Sequence, residues 1–236
     1  MIFEGAAFSL FLLVALIVLL IIPALRKLPG LGVFPTVIII VLVVWQRGDG
    51  WISLGLLPPQ SWVRTILMSV AFGTVIALSS TIFIEPLSER LTGAQLDLSA
   101  LGPIRGNLTA ALAWISAAWF VAATLEEIIF RGFMMRELAR VLGTGFLANS
   151  LNIVTTSIVF GLAHWYQSRA GALSTGLISL LLGTLFIWND FHLWLLILTH
   201  GVIDTVGILL IYVGWDNRLK DLFFKNEETA NSPETP

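Results

Sequence analysis

Seven stretches of this chain are apolar over lengths that reach or approach a bilayer crossing: residues 5–25, 31–46, 65–84, 107–125, 147–166, 171–189 and 191–213. A helix needs about 20 apolar residues to cross the hydrocarbon layer. Backbone N–H and C=O groups find no water there, so each run has to satisfy them internally, and a helix does so. The period-2 alternation of a membrane barrel is absent. Composition agrees, with 12% charged residues against about 25% in soluble domains. The expected fold class is all-α: a polytopic transmembrane helix bundle of about seven spans, with a polar site within the core helices. Residues 5–25 follow no basic segment and are long for a signal peptide, so they read as a membrane-spanning anchor.

The segments between the runs are polar. Residues 47–62 hold Gly48, Gly50, Pro58 and Pro59 and read as a loop, with a short interfacial helix at 51–57. Residues 85–106 hold Glu85, Pro86, Glu89, Arg90, Asp97 and Arg105 and read as a second connection, while 126–140 continues the fourth run as helix. Tryptophans 45, 51, 62, 165, 188, 194 and 215 fall near span ends, where aromatic belts form. With the N-terminus outside, eight of the Lys and Arg residues lie inside and five outside, which favours that orientation. Without cysteine there are no disulfides, thiolate metal sites or cysteine nucleophiles. A net charge of −2 and the lack of a basic stripe give no support to a nucleic-acid partner.

Against this oil stand Glu126, Glu127 and Arg131, three charges within six residues. Each charge at membrane depth costs about 2.5–3.5 kcal/mol on insertion scales, so it needs a partner or a task. Glu127 and Arg131 are four residues apart with the acid first, the favourable order for an intrahelical ion pair. Glu126 diverges from Glu127 by about 100° on a helix and has no such partner. It is free to face a cavity as a general base. Two more polar sets follow. Phe160 and His164 share a helix face at the end of the fifth run, and His200 and Asp204 share one in the middle of the seventh. His192 follows Asn189-Asp190 at a span start and reads as interfacial.

A bundle that converges these residues can hydrolyse an amide. A glutamate and a histidine hold and deprotonate water, and a second histidine stabilises an oxyanion. If a metal is used, Glu126, His164 and His200 are the residues to hold a zinc ion. Glutamate-activated water without metal is equally allowed by the sequence. There is no Cys, no His-Glu-x-x-His, no Gly-x-Ser-x-Gly and no second deep aspartate, so other intramembrane protease chemistries fit poorly.

The three sets, Glu126-Glu127-x-x-x-Arg131, Phe160-x-x-x-His164 and His200-x-x-x-Asp204, resemble in order and spacing those of the CAAX prenyl protease and bacteriocin-processing (CPBP, or Abi) family of intramembrane endopeptidases. Gly132-Phe133 and Leu193-Trp194 add to the likeness. The resemblance implies a variable N-terminal membrane region of about three spans (1–106) and a catalytic helical core (107–215), while residues 216–236, polar and holding Asn, Glu, Ser and Pro, read as a disordered polar tail. It implies that Glu126 activates water with His164, that Glu127, Arg131 and Phe160 support the site, and that His200 and Asp204 line the oxyanion side. The family often has Asn at the last position. Asp204 must therefore be protonated, orient His200 or bind a metal, since an ionised carboxylate donates no hydrogen bond. The implied setting is the lipid bilayer of a bacterial-type cell membrane. The implied partner is a peptide or membrane-associated protein, prenylated or otherwise. The alternatives are a non-catalytic scaffold or immunity protein of the same fold, and a proton-relay transporter.

Overall fold

The apolar runs become helices whose ends are set by a few local devices. In this computed structural model, which describes residues 5–28, 30–216 and 218–219, α1 spans Ala6–Leu25 and α2 spans Gly30–Arg47. Pro35 lies inside α2 without ending it. A 3₁₀ turn at Trp51–Leu54 sits between Gly50 and Gly55, both at positive φ. Helix α3 runs over Trp62–Thr92, started by Ser61, whose hydroxyl accepts from the Arg64 amide, and stopped at left-handed Gly93. Helix α4 is Leu108–Leu142, α5 is Phe146–Ala163, α6 is Ser168–Trp188 and α7 is Leu193–Val213. Asn107 caps α4 by accepting from the Ala110 amide, and left-handed Gly214 ends α7.

Among the described residues, six helical stretches are long and apolar enough to cross a membrane, and α2 is a shorter apolar helix beside them. The polytopic helix bundle is thus the fold. Its outward surface is apolar, with Phe11, Val63, Phe120 and Phe146 all exposed, as suits side chains solvated by lipid. The chain is a multi-pass integral membrane protein. The disordered tail expected from residue 216 falls on residues that, beyond Asp216, Arg218 and Leu219, lie outside those described.

Two expected boundaries move. Residues 85–92 are not connection but the last turns of α3. Pro86 lacks an N–H and its ring crowds the preceding turn. Just before it, over Ser80–Ile84, the hydrogen bonding widens to the i→i+5 pattern. The widened turn accommodates the ring and lets the helix continue. The interfacial helix expected at 51–57 is only the turn Trp51–Leu54. That turn docks on the start of α7 through the Leu193 amide and the Gly55 carbonyl, 2.9 Å apart.

Small residues let the helices close. At Gly161 an added Cβ would lie 2.4 Å from the Ala172 carbonyl oxygen, so α5 and α6 touch backbone to backbone. The α1–α2 hairpin lays Leu12, Leu13, Leu16, Ile40 and Val44 against Ile129, Phe130, Phe133 and Phe160 of α4 and α5. A buried ion pair joins the same elements. Arg47 donates to both oxygens of Glu137, at 2.6 and 3.1 Å, and Ser9 donates to Glu137 at 2.6 Å. Arg140 lies 3.4 Å from Glu137 and 3.5 Å from Asp49. The first two helices are thereby fastened to the far end of α4.

Removing one partner of a buried pair leaves the other charged and unsatisfied. Glu137→Ala should destabilise the folded state by about 3 kcal/mol, read as a loss of thermal stability in detergent micelles. Retention of the wild-type transition would contradict this role for the pair.

Candidate active site

The site begins with an irregularity in α4. Between Ala118 and Glu126, and again between Ile128 and Met134, hydrogen bonding widens to i→i+5. Such turns are rare and cluster at functional sites. Glu126 and Glu127 stand where the two widened stretches meet, and their side chains part company.

Glu127 turns into the bundle and is fully buried. Its Oε1 accepts from Arg131 Nη1 at 2.9 Å and from His200 Nδ1 at 2.8 Å. Arg131, also fully buried, donates from Nη2 to the Ser179 hydroxyl at 2.8 Å and to the Ser179 carbonyl at 3.1 Å. Its guanidinium lies 5.1 Å from the centre of the Phe160 ring, a cation–π arrangement. One carboxylate therefore ties α4 to α7, and through Arg131 to α6 and α5.

Phe160 is the aromatic plate of this assembly. It meets Phe130 edge-on at 4.8 Å and stacks on the His164 imidazole at 4.5 Å. His164 ends α5, and its Nδ1 donates to the Phe160 carbonyl at 2.9 Å. With the proton on Nδ1, Nε2 is left with its lone pair. That nitrogen faces Glu126 Oε2 at 3.9 Å, too long for a direct hydrogen bond. Glu126 itself lines a cavity of about 480 Å³.

His164, His200 and Asp204 line the same cavity. His200 offers it Nε2, which is 3.7 Å from Asp204 Oδ2, because Nδ1 is committed to Glu127. The structure thus gathers Glu126, His164, His200 and Asp204 around one space, with Glu127, Arg131 and Phe160 packed behind. His192 is elsewhere, with Nδ1 on the Asn189 carbonyl at the start of α7.

Two features of the site have no clear trace in the sequence. Ser179 is one more serine in an apolar helix, yet it holds Arg131 from α6. Trp119 lies on Gly201, beside His200, where an added Cβ would come 2.6 Å from the indole. Its Nε1 donates to the Thr205 hydroxyl at 3.0 Å, and Thr205 donates to the Gly201 carbonyl at 2.7 Å. The cavity also takes walls from outside 107–215: Ser80, Thr81 and Glu85 of α3, and Leu96, Leu98 and Leu101 of the connection. The widened turn of α3 is what brings the first three there, and no composition signal marks it.

A metal fits this arrangement poorly. Among the described residues, no three His, Asp or Glu side chains are grouped so as to hold an ion.

These features define a membrane-embedded helical protein with a carboxylate and histidine cavity. Residues 108–206 match the family model described as type II CAAX prenyl endopeptidase, Rce1-like. That family is the one its three motifs resemble. No curated protein and no solved structure gave a significant match.

A side chain at Gly201 has to displace the Trp119 ring and with it the turn carrying His200. Gly201→Val should lower stability by about 1–3 kcal/mol, as overpacking does, and shift the tryptophan fluorescence. Trp119→Ala in the same chain should recover part of the loss, and an absence of such recovery would refute the contact.

Proposed function

We propose that the chain is an intramembrane endopeptidase in which water, held between Glu126 and His164, attacks a peptide carbonyl. The observation that carries this reading is the 3.9 Å gap between Glu126 Oε2 and the lone pair of His164 Nε2 at the cavity wall. A water bridging the two accepts no proton from His164, whose N–H points at Phe160. It can donate to both acceptors, so its own lone pair is left for the carbonyl carbon.

Attack forms the C–O bond as a water proton passes to the Glu126 carboxylate. The charge that grows on the carbonyl oxygen needs a donor. A protonated His200 donates Nε2–H there while Nδ1–H stays on Glu127. Glu127 keeps its charge because Arg131 and His200 both donate to it. Asp204, 3.7 Å from Nε2, orients the ring, so its carboxylate needs no proton of its own. Glu126–H then protonates the leaving nitrogen as the C–N bond breaks. Each residue keeps the part suggested by the resemblance, with orientation of His200 as the task of Asp204.

The family supports proteolysis at the membrane. The finer reading is a short peptide segment of a membrane-associated substrate, prenylated at a cysteine, drawn into an apolar chamber open to lipid. The catalytic core is residues 107–215, with 1–106 supplying part of the chamber wall.

Glu126→Gln keeps the shape of the side chain and removes the base. It should cut turnover by at least about 10³-fold, at the upper part of what general-base loss costs, while the protein still inserts and folds. Comparative peptidomics of membranes holding the wild-type or Glu126→Gln chain checks this. Loss of a defined cleavage product supports the reading, and identical peptide profiles defeat it. If glutamate activates the water without a metal, dialysis against a chelator leaves turnover within about twofold. A loss that zinc restores would replace the metal-free mechanism.

A further inference from the structure

Between His164 and α6 the chain makes a strained turn. Helix α5 ends at His164, and Trp165–Gln167 form a single 3₁₀ turn closed by the Gln167 amide on the His164 carbonyl at 2.9 Å. Ser168 follows at φ 87° and ψ 176°, a conformation that a residue with a Cβ keeps only where its surroundings impose it. The connection between α3 and α4 imposes it here. The Ser168 hydroxyl donates to the Gln95 carbonyl at 2.7 Å, and the Asp97 amide donates to the Gln167 carbonyl at 3.0 Å. Strain held in this way clusters at functional sites.

The side chain this turn delivers to the site is Tyr166. It lines the catalytic cavity together with Glu126, His164, His200 and Asp204. Its ring lies 5.7 Å from the His164 imidazole, tilted by 33°, and the carboxylates of Glu126 and Asp204 are both within its electrostatic reach. The phenol oxygen accepts from Gln167 Nε2 at 3.2 Å. A phenol is donor as well as acceptor, and among the described residues the Tyr166 O–H has no acceptor. Its proton is left for a ligand. A tyrosine of the aromatic belt turns its hydroxyl to the headgroups. Tyr166 is half-buried and turns it to the carboxylates of the site.

The reaction has a place for such a donor. A carbonyl oxygen has two lone pairs, and His200 Nε2–H takes one. A second donor preset at that oxygen acts as charge develops there and needs no rearrangement to do so. We propose that the Tyr166 hydroxyl is this second donor, a catalytic role that rests on the endopeptidase reading. The proton stays on the phenol throughout. The C–O bond formed, the C–N bond broken and the proton carried by Glu126 are as before, and the charge on oxygen is shared by two donors. Gln167 and Ser168, which hold the phenol oxygen and the turn, are positioning residues.

Tyr166→Phe deletes the hydroxyl and keeps the ring beside His164. The full-length chain in lipid nanodiscs is assayed with a peptide holding a farnesylated cysteine and three further residues. The substitution should lower kcat by about 10²-fold, as loss of one oxyanion donor does. KM should stay within about twofold, since the bond is made only in the transition state. Two uncleavable forms of the peptide are titrated in parallel. A phosphinate at the scissile position carries the charged tetrahedral oxygen, and a ketomethylene keeps the flat carbonyl. Tyr166→Phe should weaken phosphinate binding about tenfold or more and leave the ketomethylene within about twofold. A tyrosine that only shapes the pocket would weaken both forms alike. Equal weakening, a change confined to KM, or a kcat within about threefold of the wild type overturns the role. Wild-type cleavage that Tyr166→Phe does not slow defeats this role alone. A chain that cleaves nothing, yet loses the phosphinate selectively on Tyr166→Phe, defeats the protease reading alone. Absence of both cleavage and selective loss defeats the two together.

Discussion

A single buried carboxylate organises this bundle. Glu127 has no access to water, so its charge must be satisfied by protein groups or the fold bears the full cost of burying it. Arg131 from its own helix and His200 from α7 both donate to Oε1, while Oε2 has no hydrogen-bond partner among the described residues. Arg131 brings the same problem one step outward, and Ser179 and Phe160 answer it from α6 and α5. Four helices are thereby placed relative to one another by a chain of charge satisfaction. Apolar packing alone would not do this in lipid, where sliding one oily helix past another changes little.

The same constraint delivers the chemistry. Because Glu127 points inward, Glu126 is carried to the cavity wall by the next peptide unit. Because Arg131 lies over Phe160, the stacked His164 ring is held at the end of α5 with its free nitrogen toward Glu126. His200 is fixed by one nitrogen and so presents the other. In the proposed reading, the groups that meet substrate are poised by groups that never touch it, which is how a site keeps its geometry without spending substrate binding to assemble it. Trp119 and Thr205 extend this support along α7.

The N-terminal helices are part of the same construction. The Arg47–Glu137 pair pins α1 and α2 to the far end of α4, and α3 closes one side of the chamber with Ser80, Thr81 and Glu85. The connection that follows adds apolar wall and then crosses α7 with Arg105. The chamber is therefore a joint product of the family-matched stretch and of what precedes it.

Read from residues alone, the chain declares its helices, because lipid leaves a long apolar run no other way to satisfy its backbone. It also declares the Glu127–Arg131 pair, since a spacing of four residues puts two side chains on one helix face wherever that helix lies. Its ordered Glu, His and Asp motifs suffice to point to a family. Tertiary structure decided the rest. Nothing local distinguishes Ser179 from other serines, or Trp119 from the belt tryptophans, because their partners are 48 and 86 residues away. The widened turns of α3 and α4 depend on packing and on Pro86 in its setting, so the length of α3 could not be read from periodicity, whereas the divergence of Glu126 from Glu127 could. The meeting of Arg105 with Asp216 joins residues 111 positions apart. Only the closure of the bundle around a buried charge brings such distant groups together.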